Sequence, residues 1–260
     1  MVKPKKHLGQ HFLKDKTIAQ EIVSLLSPSP SYQCLLEIGP GTGVLTGFLL
    51  DRTDLSLHLV DIDKESVTFL RERYPKLAAE ARILEGDFLQ MDLQHYFGES
   101  IGIIGNFPYN ISSQILFKVL SFRKQVKEVV CMLQKEVAER IASPPGSKQY
   151  GILSVFLQAF YDISYHFTVP ARVFIPPPKV ESGVIRLERN TITALPCDEK
   201  KFFQFVKMAF NQRRKTLRNS LKPFIPITIK EQAIFSKRPE QLSVDDFVSL
   251  TQQLTALQDT

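Results

Sequence analysis

The sequence predicts an α/β fold in which a largely parallel sheet is covered by helices on both faces, followed by a small all-α domain. Two patterns support this prediction: short apolar runs alternate with helical patterns in the N-terminal part, and helical patterns alone fill the C-terminal part. The composition, 43% apolar and 23% charged over 260 residues, is typical of a globular protein. We place the domain boundary between 1–188 and 189–260.

The alternating pattern follows an N-terminal helix predicted at 16–26. A short apolar run at 34–38 ends in a glycine-rich turn, and a helix at 44–50 comes next. A second strand at 57–60 and a helix at 64–74 repeat the unit. Further strands are predicted at 82–84, 101–104 and 126–133. Parallel sheets built in this way bind ligands beyond the carboxyl ends of their strands.

The remaining elements complete the sheet and form the C-terminal domain. Two runs at 164–169 and 180–187, joined by a proline-rich stretch, predict an antiparallel pair at one edge of the sheet. A linker at 188–198 separates them from the C-terminal helices. These helices are predicted at 199–210, 213–221 and 244–254, with Ser243 as the N-cap of the last.

Composition excludes several classes of protein. The three cysteines are widely spaced and the five histidines lack metal-ligand spacing, so neither a disulfide framework nor a metal site is predicted. No run approaches the roughly 20 apolar residues of a membrane span. The basic N-terminus lacks the apolar segment of a secretory signal. We therefore expect a cytoplasmic protein with no membrane partner.

Positive charge is concentrated in the C-terminal domain. The chain carries 33 Lys and Arg against 27 Asp and Glu, a net charge of +6, and the segment 200–222 holds eight basic residues and no acidic one. Its centre is the group Arg213, Arg214, Lys215 and Arg218. This pattern predicts contacts with phosphates of a nucleic acid, with a solvated helix face as the alternative.

The ends of the first three strands carry residues suited to a nucleoside. Gly39 and Gly41 allow backbone amides to approach a ligand closely, and their spacing, GxGxG, differs from the dinucleotide pattern. Asp61 is placed to accept two hydrogen bonds from a ribose diol, and Asp87 lies where an adenine amine would bind. Together they predict a nucleoside-bearing cofactor. A tight turn without ligand and solvated aspartates are the alternatives, and a nicotinamide dehydrogenase is disfavoured.

The fourth predicted strand ends in Asn106, Phe107, Pro108 and Tyr109. The exocyclic amine of adenine is a poor nucleophile because its lone pair is delocalised into the ring. The Asn106 side-chain oxygen and a backbone carbonyl near Pro108 could hold its protons and stabilise the charge that develops on nitrogen. Tyr109 would stack on the flipped or unpaired base. A strand-ending turn with a buried tyrosine is the alternative.

With these motifs in hand, the chain resembles the ribosomal RNA adenine dimethyltransferase family nearly from end to end. The resemblance rests on five stretches: LGQHFL at 8–13, EIGPGTG at 37–43, NFPYNIS at 106–112, FIPPPKVES at 174–182 and FNQRRKTLRNSL at 210–221. His11 stands where the family usually has Asn, and Phe107 where it usually has Leu. The last stretch favours a small-subunit enzyme over the related large-subunit methyltransferase associated with antibiotic resistance.

The resemblance implies a Rossmann-like methyltransferase sheet that binds S-adenosylmethionine. The residues that it assigns to the cofactor are His11, Leu13, Gly39, Gly41, Asp61, Asp87 and Asn106. It also implies that Phe174 lies opposite Tyr109 and sandwiches the adenine, with core packing as the alternative for Phe174. The implied substrate is a pair of adjacent adenines near the 3′ end of small-subunit ribosomal RNA in an assembling subunit, and we expect a monomer. A binding protein of ribosome assembly or transcription, without catalysis, is the remaining alternative.

Overall fold

A computed structural model describes residues 2–257 of the chain. The strands are β1 (Phe12–Leu13), β2 (Cys34–Ile38), β3 (Ser56–Asp61), β4 (Ile83–Glu85), β5 (Ile101–Asn106), β6 (Val126–Gln134), β7 (Tyr161–Val169), β8 (Phe174–Ile175) and β9 (Ser182–Arg189). The helices are α1 (Lys16–Ser24), α2 (Thr46–Leu49), α3 (Lys64–Arg73), α4 (Pro75–Ala79), α5 (Leu93–Phe97), α6 (Ser112–Ser121), α7 (Lys135–Ala142), α8 (Ile152–Gln158), α9 (Glu199–Asn211), α10 (Leu217–Ser220) and α11 (Val244–Ala256). Within residues 2–257, no helix combines the length and apolar character needed to cross a bilayer.

Seven strands form the main sheet in the order β4-β3-β2-β5-β6-β9-β7. The first five are parallel, and β9 runs antiparallel to β6. The strand order reverses at β2, which pairs with β3 on one side and β5 on the other. Because the carboxyl ends of parallel strands lie at one edge, the residues after β2, β3 and β5 meet at this switch point.

The predicted α/β class is confirmed, and every predicted strand is present within a few residues. The predicted helix at 213–221 is wrong, since only Leu217–Ser220 is helical. The helix α9 ends at Asn211, and hydrogen-bonded turns follow, from Arg213 N to Phe210 O at 3.1 Å and from Lys215 N to Gln212 O at 2.7 Å. These turns and the extended backbone of Thr216 interrupt the helical path.

Two compact units divide the chain. One comprises the residues up to Ala138 together with Asp162–Arg189, and the other comprises Glu139–Tyr161 together with the residues from Asn190 onward. The sequence-based division places 139–161 in the N-terminal domain, whereas the structure places it in the second unit. The reason is aromatic packing: the Phe156 ring of α8 lies 4.6 Å from that of Phe203 on α9. The Tyr150 ring also contacts that of Phe210, with a distance of 6.2 Å between the ring centroids.

The N-terminal segment is tied to the first unit by Asp63. This aspartate caps α3 by accepting from the Glu65 main-chain N–H, and its side chain also accepts from Lys5 Nζ and from Gln10 Nε2. Burial would raise the pKa of Asp63, but the hydrogen bonds from Lys5, Gln10 and other donors outweigh it and lower the pKa. Backbone pairing of β1 with β8 completes the attachment.

A buried carboxylate holds the amino end of β6. Glu128 accepts hydrogen bonds from the Tyr32 hydroxyl at 2.6 Å, from Arg186 Nε at 2.6 Å and from the Ser27 main-chain N–H at 3.1 Å. Arg186 also pairs with Glu188, whose side chain is 49% exposed, whereas that of Glu128 is 4% exposed. The two glutamates therefore share one cation in very different surroundings.

We predict that Glu128→Ala lowers the free energy of unfolding by about 3–5 kcal/mol, because it leaves the buried Tyr32 hydroxyl without its acceptor and removes the buried partner of Arg186. The matched control Glu188→Ala removes an exposed partner of the same arginine and should cost about 1 kcal/mol or less. Urea unfolding of both variants measures the difference. Equal losses in the two variants would contradict the assigned role of Glu128.

Candidate active site

A cavity of about 200 Å³ lies at the switch point of the sheet. Its walls come from the N-terminal segment and from the turns that follow β2, β3, β4 and β5. The predicted site residues that line it are His11, Gly39, Gly41, Asp61, Asp87, Asn106, Pro108 and Tyr109. Residues more than 95 positions apart in the chain are thus brought to one place by the parallel strand order.

The glycine turn after β2 forms one wall. Gly39 and Gly41 have φ angles of +64° and +55°, which glycine adopts without steric cost. A Cβ atom at position 41 would lie 2.7 Å from the Phe12 ring. The main-chain N–H of Gly39 donates to Val60 O at 2.9 Å and links the turn to β3. The turn therefore presents bare backbone to the cavity, which suits the close approach of a charged cofactor.

Asp61 ends β3 beneath this turn. Its side chain accepts from the Gly41 main-chain N–H at 3.2 Å and from the Asp63 main-chain N–H at 2.9 Å. Burial raises the pKa of Asp61, although these two hydrogen bonds oppose the shift. Each carboxylate oxygen accepts one protein hydrogen bond and keeps a further lone pair. The carboxylate can therefore accept from the two hydroxyls of a ribose.

Asp87 begins the short 3-10 turn after β4. Its Oδ1 accepts from the Leu89 main-chain N–H at 2.9 Å, and Lys118 Nζ holds the same turn by donating to Leu89 O at 2.9 Å and to Met91 O. The second carboxylate oxygen of Asp87 makes no hydrogen bond with a residue of 2–257. This oxygen is an acceptor at the cavity wall.

The amide of Asn106 has a defined orientation. Its Nδ2 donates to the His11 carbonyl oxygen at 2.8 Å, and because a carbonyl can only accept, the atom facing it is nitrogen. The side-chain oxygen is therefore the atom left to accept a hydrogen from a ligand. The backbone around it is tightly packed, since a Cβ atom at Gly105 would lie 2.5 Å from Ile38 O.

Tyr109 is held at both ends. Its hydroxyl shares a hydrogen bond of 2.6 Å with the buried Ser182 hydroxyl, and its ring stacks on the His11 imidazole at 5.4 Å and 28°. The His11 ring is fixed in turn by Nδ1, which donates to Pro176 O at 2.7 Å. His11 thus contributes a main-chain oxygen to Asn106 and an aromatic face to Tyr109.

Two predicted site residues lie away from the cavity. Leu13 and Phe174 face each other in the β1–β8 pair, with 3% and 1% of their surface exposed, and both belong to the hydrophobic core. Phe174 therefore packs in the hydrophobic core, which was the alternative to stacking on the adenine. The ring next to Tyr109 in this structure is that of His11.

The basic group of the second unit has two kinds of member. Arg213 and Arg218 make ion pairs, with Glu240 at 3.9 Å and Glu231 at 3.3 Å, and Arg213 also donates to Lys148 O. Arg214 and Lys215 are exposed and make no ion pair with a residue of 2–257. The latter two are the cations available to an external phosphate.

Sequence reasoning did not single out Glu37, which lies in β2 directly below the glycine turn. Its side chain is fully buried and accepts from the Thr46 hydroxyl at 2.6 Å. Burial raises the pKa of Glu37 to about 8, against opposing hydrogen bonds from Thr46, and the nearby Asp61 contributes to the increase. An acidic residue inside an otherwise apolar strand was the available signal.

We predict that Glu37 makes the protein less stable as the pH rises from about 5 to about 8. The folded-state pKa of about 8 exceeds the ordinary value of 4.5, so the native state retains a proton that the unfolded chain loses in this range. The stabilisation is full below pH 4.5 and is lost as the pH approaches 8. Glu37→Gln keeps an acceptor for Thr46 and cannot ionise.

Urea unfolding at pH 5 and pH 8 tests this prediction. The wild-type protein should lose roughly 2–4 kcal/mol more stability between the two pH values than the Gln variant. Parallel pH profiles for the two proteins would show that the Glu37 carboxyl ionises normally.

Comparison with known proteins identifies the family of this chain. The family model described as ribosomal RNA adenine dimethylase matches residues 1–255. The chain belongs to the ribosomal RNA adenine dimethylase family. Among the curated members, ribosomal RNA small subunit methyltransferase A of Cytophaga hutchinsonii is 58% identical over 98% of both chains. The protein of the same name from Bacteroides thetaiotaomicron is 55% identical, over 98% of this chain and 95% of its own.

Solved structures show that the fold is that of methyltransferases. A dimethyladenosine transferase from Plasmodium falciparum is 26% identical, with a TM-score of 0.78 over 95% of this chain and 98% of the other. The 23S rRNA methyltransferase ErmE has a TM-score of 0.68 at 24% identity, over 92% of this chain and 99% of its own, and supports the fold alone. The predicted Rossmann-like methyltransferase fold and membership of the dimethylase family are both confirmed.

Within residues 2–257, no group of three or more His, Cys, Asp or Glu side chains is arranged to hold a metal ion. The cavity instead combines bare glycine backbone, two aspartates and an oriented amide. This donor set suits an organic cofactor with hydroxyl, amine and charged groups.

Proposed function

We propose that this member of the family transfers methyl groups from S-adenosylmethionine to the exocyclic amines of two adjacent adenosines near the 3′ end of 16S ribosomal RNA. The products are dimethyladenosines. The substrate is an assembling small subunit in the cytoplasm, and the protein acts on it as a monomer. The observation that carries the proposal is the fixed orientation of the Asn106 amide at the switch-point cavity. The names of the relatives at 55–58% identity support the choice of the small-subunit RNA.

The residues that line the cavity suit the chemical groups of S-adenosylmethionine. The glycine backbone at Gly39 and Gly41 would contact the part of the cofactor nearest β2. Asp61 would accept hydrogen bonds from the ribose hydroxyls, and Asp87 would accept one from the adenine amine. Two buried lone pairs of Asp61 and one oxygen of Asp87 are available for these hydrogen bonds. When bound, the cofactor supplies an electrophilic methyl group.

The chain's own residues activate the adenine amine. The Asn106 side-chain oxygen and a backbone carbonyl near Pro108 accept its two hydrogens and localise the nitrogen lone pair. The same two oxygens stabilise the positive charge that forms on that nitrogen. No general base is needed while this charge develops. Once the bond from carbon to sulfur has broken and the bond to nitrogen has formed, the cationic nitrogen releases its extra proton to water. Phe107 anchors the segment, because its side chain is 1% exposed and its main-chain N–H donates to Met132 O at 2.9 Å.

Tyr109 supports the target base. Stacking of a base on an aromatic ring contributes on the order of 1–3 kcal/mol. The hydrogen bond with Ser182 and the contact with His11 hold the Tyr109 ring before substrate binds, so little side-chain freedom is lost on binding.

The decisive experiment incubates unmethylated small subunits with labelled S-adenosylmethionine and maps the modified bases. We expect label on two adjacent adenosines near the 3′ end of the small-subunit RNA. Label confined to large-subunit RNA would instead identify a resistance-type enzyme. Absence of label from both RNAs would identify a binding protein without catalysis.

We predict that Asn106→Ala lowers the single-turnover methylation rate by roughly 100-fold or more, because the lost acceptor acts mainly as charge develops in the transition state. Equilibrium binding of the RNA should change little. Rapid-quench methylation assays and filter binding separate these effects. Near-normal methylation by this variant would eliminate the mechanism of amine localisation.

We predict that Arg214→Ala/Lys215→Ala weakens the salt dependence of RNA binding more than Arg213→Ala/Arg218→Ala. Each double variant removes two charges, but only the first pair is free of intramolecular ion pairs among the described residues. Loss of two phosphate contacts should reduce the slope of log K against log salt by roughly 1.4–1.8. An equal reduction of the slope in both variants would indicate that net charge, rather than particular phosphate contacts, governs RNA binding. No reduction in either variant would indicate that the basic group is a solvated helix face that does not contact RNA.

A further inference from the structure

A second, larger groove lies beside the methyl-transfer cavity in the first unit. It encloses about 700 Å³ and is bounded by the N-terminal segment, the glycine turn at Thr42 and Gly43, the helix α2 and the end of α3. The methyl-transfer mechanism described above uses none of the exposed side chains at the rim of this groove. We call it the outer groove.

The rim of the outer groove is cationic. Lys3, Lys14, Lys16 and Arg73 line it, and none of the described residues that line it is acidic. All four side chains are exposed, and none makes an ion pair with a residue of 2–257. The Arg73 guanidinium lies over the Phe69 and Tyr74 rings, at 5.8 Å and 5.6 Å from their centroids. These rings hold one rim cation in place.

The floor of the groove is apolar and partly aromatic. Phe12, Val44 and Phe48 are half-buried, and Ile175 is 53% exposed. Aromatic and apolar surface between cations is the composition of sites for single-stranded nucleic acid, in which bases stack on rings and phosphates meet lysine and arginine. The floor therefore offers contacts to bases and the rim offers contacts to phosphates.

The outer groove lies next to the methyl-transfer cavity, and the Phe12 ring forms part of the wall of each. This ring packs against Gly41, whose own backbone faces the cavity. The glycine turn separates the two spaces, with Gly39 and Gly41 on the cavity side and Thr42 and Gly43 on the groove side. The outer groove is therefore within reach of an RNA strand whose target base enters the cavity.

We infer that the outer groove binds the single-stranded RNA that flanks the target adenosines, with bases on Phe12, Phe48 and Ile175 and phosphates at Lys14, Lys16 and Arg73. The inference rests on the proposed function, because it takes the RNA substrate from there. The outer groove would be an RNA contact surface in the first unit, in addition to the basic group around Arg214 in the second unit.

A charge-matched pair of variants tests the site. Lys14→Ala/Lys16→Ala removes two rim cations, and Lys76→Ala/Lys124→Ala removes two exposed lysines of the same unit that do not line the groove. The probe is an RNA oligonucleotide that spans the target adenosines. We expect the rim variant to raise the Kd at least tenfold at 150 mM salt and to reduce the salt slope by roughly 1.4, the value for two phosphates of a single strand.

The control variant should change the Kd by less than about twofold, and both variants should bind S-adenosylmethionine as the wild type does. Equal weakening of RNA binding in the two variants would overturn the proposal, because it would show an effect of net charge alone. Full competition by free ADP would also overturn it, since the groove would then be a mononucleotide site.

Cross-linking gives an independent measurement. An oligonucleotide with 4-thiouridine beside the target adenosines should cross-link to peptides that contain Phe48 or Arg73 in the wild-type protein. Cross-links found only elsewhere would overturn the proposal. Methylation of small subunits by the same wild-type sample shows separately that the proposed function holds, so failure of the groove and failure of the function are distinguishable.

Discussion

The hydrogen bond from the Asn106 amide to the His11 carbonyl is the contact on which the active site depends. It joins the end of β5 to a segment that precedes the whole sheet in sequence, and it determines which amide atom faces the substrate. Rotating the amide by half a turn would place nitrogen where an acceptor is needed and would oppose two carbonyl oxygens. The chemistry of the site therefore depends on where the N-terminal segment lies.

Several contacts hold that segment, and each belongs to a different part of the unit. Asp63 binds Lys5 and Gln10, the β1–β8 pair fixes Phe12 and Leu13, and Phe12 fills the space left by the missing side chain of Gly41. Because these contacts lie on both sides of His11, its carbonyl has little freedom to move. The buried core at Leu13 and Phe174 contributes to this rigidity, which is the role that the structure shows for Phe174.

Sequence reasoning succeeded where the information is local. An apolar run that ends at glycines or at a polar residue predicts both a strand and the residue at its carboxyl end. The strands, and the position of Gly39, Gly41, Asp61, Asp87 and Asn106 at one edge of the sheet, could therefore be predicted together. It failed where tertiary contacts decide. The turns at 212–215 interrupt an otherwise helical pattern, and aromatic packing on α9 moves 139–161 into the second unit. The stacking of His11 on Tyr109 depends on neighbours that no spacing in the chain reveals, and the hydrogen bond from Thr46 to the buried Glu37 is likewise a tertiary contact.

The N-terminal segment also forms part of the walls of both cavities of the first unit. Its residues wall the methyl-transfer cavity through His11 and the outer groove through Lys14, with Phe12 between them. If RNA in the outer groove displaces Phe12 and with it the neighbouring His11, linkage requires RNA and cofactor to change each other's affinity by the same factor. RNA binding would then affect the orientation of the Asn106 amide through the position of His11, whose carbonyl oxygen accepts from that amide.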